Sequence, residues 1–157
     1  MERLAELGIE VRTAHHAPVF SVGDSAELYE TIPGGHTKNL FLKDAKGQMF
    51  LIVAHHRTRV DLKKLPPVIG SARLSFGRAE LLEEVLGVTP GSVTAFALMN
   101  DGAAKVTVIF DQALLAFGTI NLHPMVNSAT TSIAREDLLR FIRETGHTPT
   151  ITALTLD

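Results

Sequence analysis

The stretch NLFLKDAKGQMFLIVA, residues 39–54, decides how this chain is built. Two apolar runs, Asn39 to Lys43 and Gln48 to Ala54, flank Asp44-Ala45-Lys46-Gly47, a polar turn that ends in glycine. Runs of that length, rich in Leu, Ile, Val and Phe around such a turn, predict a β-hairpin. Just upstream, Pro33-Gly34-Gly35-His36-Thr37-Lys38 sets two glycines, a histidine and a lysine at the mouth of its first strand. Glycine lets a backbone be approached closely, and lysine offers a compact positive charge. The hairpin is therefore both the architectural anchor and the first place to look for chemistry.

Toward the N-terminus, Leu4 and Leu7 beside Glu2, Arg3 and Glu6, with Gly8 as a stop, predict a short helix. Val11 to His16 reads as a strand, and the HAPVF segment stays extended because a residue before proline avoids the helical region. Asp24 or Ser25 caps a helix reaching to Glu30, which Pro33-Gly34-Gly35 terminates. Toward the C-terminus, Val60 to Val68 predicts a short helix broken by Pro66-Pro67. Arg78 to Leu86 is a stronger helix, with Leu81, Leu82, Val85 and Leu86 on one side and Gly87 at its end. Lys105 to Phe110 and Gly118 to His123 read as strands. Arg135 to Thr145 is an amphipathic helix capped by Thr131 or Ser132 and stopped by Gly146, and Thr150 to Leu154 is a last β-rich piece.

Strands and helices mix without a regular βαβ rhythm, so an α/β chain of the α+β type is expected, with helices around a mixed or antiparallel sheet. At 157 residues, with no internal repeat and no interior linker, a single domain over 1–157 is the expectation. Hydrophobic residues at 45% and charged residues at 20% exclude the disordered and fibrous classes. The absence of cysteine removes thiol nucleophiles, thiolate zinc sites and disulfides together, and points to a reducing cytoplasm. No apolar stretch approaches the roughly 20 residues of a membrane span, and MERLAELGIEV lacks the pattern of a secretory signal. A net charge of −2 argues against broad coating of nucleic acid, DNA included, but leaves room for a local basic pocket.

Seven histidines raise the question of a metal. His15-His16 and His55-His56 are adjacent pairs, and neighbours on a strand point to opposite faces, so neither pair chelates one ion. There is no HExxH, no GxSxG around any serine, and neither GxGxxG nor GxxxxGK[ST] spacing, so no metal site is expected and no cofactor is implied. Three polar sites remain. They are Gly34 to Asn39; Thr89-Pro90-Gly91-Ser92-Val93-Thr94, a tight turn whose N–H groups could receive an oxyanion; and Asn121 to Asn127, with His123 before a proline. Residue types alone leave each open between a plain turn and a functional site.

The order of the motifs goes further. PGGHTKNLFLKD, VDLKKL, LSFGRAELLEEVLGVTPGSVTAFALMND and NLHPMVNSATTSI follow one another in a register that closely resembles the YbaK/ProX family of aminoacyl-tRNA editing proteins. The likeness covers about residues 15 to 150 and is nearest to freestanding deacylases that remove alanine from tRNA for proline. It implies a fold similar to the insertion editing domain of bacterial prolyl-tRNA synthetases, a compact domain around a mixed, partly closed sheet, without a bound metal. It also implies catalytic positions at Lys38, Asn39 and His123, and substrate contacts at Gly35, His36 and Thr37 and at Gly91, Ser92, Val93 and Thr94. Phe20 and Val22 would wall the amino-acid pocket. Ala95 stands where many relatives have proline, while alanine-specific members share the wording GSVTA.

The activity implied is hydrolysis of mischarged alanyl-tRNA for proline, in the cytoplasm, with the acceptor end of that tRNA as partner and prolyl-tRNA synthetase as a candidate second partner. Lys43, Lys46, Arg57, Arg59, Lys63 and Lys64 are the residues available for a basic rim. Two rival readings are a deacylase for another small amino acid, serine or cysteine, and a module that binds tRNA or an aminoacyl group without turnover.

Overall fold

The computed structural model describes residues 8–15, 34–56, 58, 60–89, 92–101, 105–122 and 129–154. Strands β1 (Val11–His15), β2 (Gly35–Asp44) and β3 (Met49–His55) are followed by α1 (Leu65–Ile69), β4 (Leu74–Phe76) and α2 (Ala79–Leu86). A 3₁₀ helix over Ala95–Asn100 leads into β5 (Val106–Asp111), and a second, Gln112–Ala116, into β6 (Thr119–Leu122). The chain then forms β7 (Ala129–Ala134), α3 (Arg135–Glu144) and β8 (Thr150–Thr152). The helices expected before Gly8 and around 24–30, and the extended HAPVF segment, lie outside the described residues.

The strands form one mixed sheet in the order β1-β7-β6-β2-β3-β5-β8, with β4 also pairing β2. Pairs β2/β6, β3/β5 and β5/β8 are parallel, and the others antiparallel. The mixed α/β architecture read from the sequence is there, but among the described residues the path stays open between β1 and β8 instead of partly closing.

The predicted hairpin is β2 and β3, with Leu40 opposite Ile52 and Lys43 opposite Met49. Its apolar run is long because both faces of β3 are covered: Leu51, Ile52, Val53 and Ala54 are all 0% exposed. One face packs Phe41, Leu51, Val53, Val108 and Phe110 against Leu82, Leu86, Phe96, Leu138 and Phe141 of the helical layer. The other packs Leu42, Phe50, Ile52, Ala54 and Ile109 against Leu65, Leu74 and Leu154. No helix among the described residues is long and apolar enough to cross a membrane.

Strand β2 is the hinge of this arrangement. On the side away from β3, its start pairs with β6 through Gly35 and His36, and its end pairs with β4 through Leu42 to Asp44. Between them, Lys38, Asn39 and Leu40 have no strand partner on that side among the described residues.

Four local expectations change. The glycine-led segment is strand from Gly35 onward, because pairing with β6 extends it. Pro66 and Pro67 start α1 instead of breaking a helix, since the first turn has no intrahelical use for the N–H that proline lacks. Thr131 and Ser132 are not caps: α3 begins after Ala134 with no side-chain cap, and both residues sit in β7. There Ser132 donates to Asn121 Oδ1 and the Thr131 hydroxyl meets that of Thr13 at 2.9 Å. Strand β4, only three residues long, gave no signal in the sequence.

Candidate active site

The alternation of β2 sorts the polar residues ahead of the hairpin into two groups. Thr37 and Asn39 lie on the face of Phe41, toward the helical layer, whereas His36 and Lys38 lie on the face of Leu42. Lys38 and Asn39, read from the sequence as one polar edge, thus project to opposite sides of the sheet. No strand among the described residues pairs with this stretch of β2 on the side away from β3.

On the Lys38 side, register makes a row across three strands. Lys38 is opposite Ala54 of β3, and the pairing of Val53 with Phe110 sets Ala54 beside Asp111 of β5. Asp111 is 1% exposed and fully engaged: it accepts from His55 N at 3.0 Å, Thr58 Oγ1 at 2.6 Å and Ala113 N at 3.0 Å. Burial among apolar neighbours pulls the Lys38 amine below the ordinary lysine value, and the Asp111 charge offsets part of that effect.

On the Asn39 side, Asn39 Nδ2 donates to Thr37 Oγ1 at 3.3 Å, and Thr37 Oγ1 donates to Asn121 O at 2.9 Å. Asn39 Oδ1 is buried and has no hydrogen-bond partner. Buried acceptors are rarely left unmatched, which marks this oxygen as a polar group on the Asn39 face.

The two glycines are required by the chain itself. Gly34 has φ +111°, and a Cβ there would lie 2.8 Å from Thr119 O; at Gly35 a Cβ would lie 2.8 Å from the ring of Phe117. Phe117 stacks on His55 at 5.1 Å, His55 meets His56 at 4.6 Å, and His56 meets His36 edge-on at 6.1 Å. The histidines of 36, 55 and 56 therefore belong to one ring cluster at the strand ends, and no group of described residues is arranged to hold a metal.

The 92–94 stretch has a capping task. Ser92 N donates to Thr89 O at 2.9 Å, so that N–H is already taken within the turn. Thr94, fully buried, accepts from Phe96 N at 3.4 Å and opens the 3₁₀ helix. Val93 packs on the same apolar cluster as Phe41, which puts this stretch on the Asn39 side of the sheet. Phe20, Val22, Gly91 and His123 lie outside the described residues, as do Arg57 and Arg59 of the basic rim. Lys43 borders a surface depression with Arg73 and Arg78, interleaved with Glu80 and Glu84, and Lys63 adjoins Arg73 on the next. Lys46 and Lys64 are exposed.

Asp111 and Phe117 were not among the candidate residues of the sequence, and Asn121 was there only as the start of the 121–127 site. Asp111 had a usable signal, a lone carboxylate directly after the apolar strand VTVIF.

The signature of the aminoacyl-tRNA editing domain matches residues 16–141. The chain belongs to that family. As an aminoacyl-tRNA editing domain it is a deacylase, a hydrolase whose substrate class is aminoacyl-tRNA. It is 37% identical over 147 residues to the prolyl-tRNA editing protein ProX of Acetoanaerobium sticklandii, covering 93% of this chain and 90% of that one. It is 41% identical over 152 residues to prolyl-tRNA synthetase associated domain-containing protein 1 of Danio rerio, covering 96% and 83%. Its fold matches a crystal structure described as a candidate trans-editing enzyme for prolyl tRNA synthetase, with a TM-score of 0.70 at 18% identity over 94% and 87% of the two chains. The editing domain thus carries its half-buried lysine on a strand shared by two halves of one sheet.

Proposed function

We propose that this chain, as one editing domain over 1–157, hydrolyses mischarged alanyl-tRNA for proline in trans, in the cytoplasm. One observation supports the choice of tRNA: the chain is 37% identical, over 93% of its length, to a protein named for prolyl-tRNA editing. The chemistry rests on Lys38, a cation half-buried in an apolar face beside a stretch of β2 that no described strand pairs.

The ester joins an amino acid to the terminal ribose, so hydrolysis needs a held carbonyl, a placed water and support for a tetrahedral oxyanion. A substrate lying across the stretch of β2 that no described strand pairs meets Lys38 from one face and Asn39 from the other. The Lys38 ammonium anchors the aminoacyl carbonyl or the acceptor end, and Asn39 Oδ1 accepts from a ribose hydroxyl or the water. Backbone N–H groups of the 91–94 loop other than that of Ser92 serve the oxyanion, and His123 lines the aminoacyl pocket. Water adds to the carbonyl carbon with help from the neighbouring ribose hydroxyl; the carbon–oxygen bond to the ribose then breaks, and the ribose oxygen takes the proton.

Editing has a physical reason. A site built for proline gains only about 1–3 kcal/mol against a smaller apolar side chain, so a second, smaller sieve is needed, with Phe20 and Val22 as walls that exclude proline.

The test is hydrolysis of a panel of tRNA for proline carrying alanine, serine, cysteine or proline. Alanine should be released fastest and proline spared. Faster release of serine or cysteine reassigns the substrate, and binding without release makes the chain a recognition module. Lys38→Ala should lower alanine release by about 10²-fold or more with an unchanged circular dichroism spectrum; full activity in that variant removes Lys38 from the mechanism.

A further inference from the structure

Lysine on an apolar face faces a conflict: desolvation favours the neutral amine, while anchoring an ester carbonyl needs the ammonium. The row Lys38, Ala54, Asp111 resolves it by geometry. Paired residues on neighbouring strands share a face, so Lys38 and Asp111 flank the same small residue from either side. Ala54 is 0% exposed and has no side chain beyond Cβ, so only a methyl group stands between the two positions on that face. The Asp111 carboxylate cannot swing away, because His55 N, Thr58 Oγ1 and Ala113 N hold both of its oxygens.

The other charged or titratable groups around Lys38 are differently placed. His36 shares its strand face but is buried, with its backbone oxygen bonded to His56 N, and His56 meets it edge-on. Ahead of α1, Asp61 accepts from the backbone N–H of Lys63, and Lys63 and Lys64 are exposed. Among the described residues, Asp111 is the anion whose charge reaches Lys38.

We infer that Asp111 is the positioning residue for Lys38: its fixed carboxylate, one strand beyond Ala54, keeps the ammonium charged and directed along the sheet face. The inference builds on the reading of Lys38 as the ester-anchoring group, and the experiment separates the two. In the full chain, the pH dependence of Lys38 acylation by a small anhydride, read by mass spectrometry, reports the titration of that amine without reference to activity. Deacylation of alanyl-tRNA for proline is followed over the same range, with uncatalysed hydrolysis subtracted.

In Asp111→Asn the Lys38 titration should move to lower pH than in the unsubstituted chain, and the alkaline limb of deacylation should move with it. Each pH unit beyond the titration point costs about tenfold in the charged form. Thr58→Val, which keeps the carboxylate and removes one of its hydrogen bonds, should lower the melting temperature and leave the Lys38 titration in place. An unmoved Lys38 titration in Asp111→Asn overturns the inference, whatever happens to activity. A titration that moves while the pH–rate profile stays put upholds the link between Asp111 and Lys38 and overturns Lys38 as the ester anchor. Should Asp111→Asn fail to fold, Asp111→Glu and Asp111→Gln share a length and differ only in charge; the Gln variant must then show the lower Lys38 titration, and equal titrations overturn the inference.

Discussion

Asn39 holds an oxygen that the fold buries and leaves without a donor. Such a group costs stability until something binds it, and an apolar residue of similar shape removes that cost while giving up only the long 3.3 Å bond to Thr37. Asn39→Leu should therefore leave the melting temperature unchanged or raised while reducing kcat/KM for alanyl-tRNA by about tenfold or more. A parallel fall in both quantities would make Asn39 a structural residue. At this scale the sequence was legible in residue type and not in direction. Lys38 and Asn39 were visible through the motif they stand in, but their separation by the sheet depends on β2 being strand from Gly35. The glycines were read as backbone open to close approach; the close neighbours that a Cβ would meet are Phe117 and Thr119, more than eighty residues away in the chain.

Helix α3 ends in a buried clamp that fastens the helical layer to β5. His147 Nε2 meets Asp101 Oδ2 at 2.9 Å, and His147 Nδ1 meets Thr145 Oγ1 at 2.8 Å. The Thr145 hydroxyl in turn donates to Ile142 O at 2.6 Å, which ties the ring to the end of α3. Desolvation raises the Asp101 carboxyl, but the His147 bond and the N–H groups of Val106 and Lys105 outweigh it and hold the group below the usual carboxylate value. A carboxyl lowered in the folded state stabilises fully above its unfolded value of about 3.9, and that contribution fades as pH falls through the folded value. Removing one partner of a buried pair costs about 3–5 kcal/mol. His147→Ala should thus lower stability by that amount in urea unfolding at neutral pH and flatten the loss of stability below about pH 4. An unchanged acid limb would show that His147 does not set the Asp101 carboxyl. Elements with a strong period and a clear stop, β3 and α2, were legible in the sequence. Those decided by distant partners were not: β4 exists because β2 offers an edge, and β7 claims the residues that looked like caps for α3.

Across the whole molecule, one strand carries two sheets' worth of pairing. Strand β2 joins the β1-β7-β6 side to the β3-β5-β8 side, and among the described residues its contacts with β6 and β4 leave Lys38 and Asn39 unpaired between them on that edge. The fold class was legible because a mixed sheet leaves hairpin turns and interrupted helical patterns in the chain. The strand order was not, because parallel pairs such as β2/β6 join segments with no local signature.

The shared strand also sets what kind of change the protein can survive. Substitution alters one position of β2, but adding or deleting one residue between Gly35 and Leu42 turns every later side chain to the other face. Lys38 would then trade sides with Asn39, or the apolar positions would, so length here should be held far more strictly than identity. A library of single-residue insertions and deletions, scored for alanyl-tRNA hydrolysis, should lose activity throughout 36–42 and keep it at Ala45 to Gly47, where the backbone turns in solvent. Tolerated length changes inside β2 would mean that the two faces do not hold separate parts of the reaction.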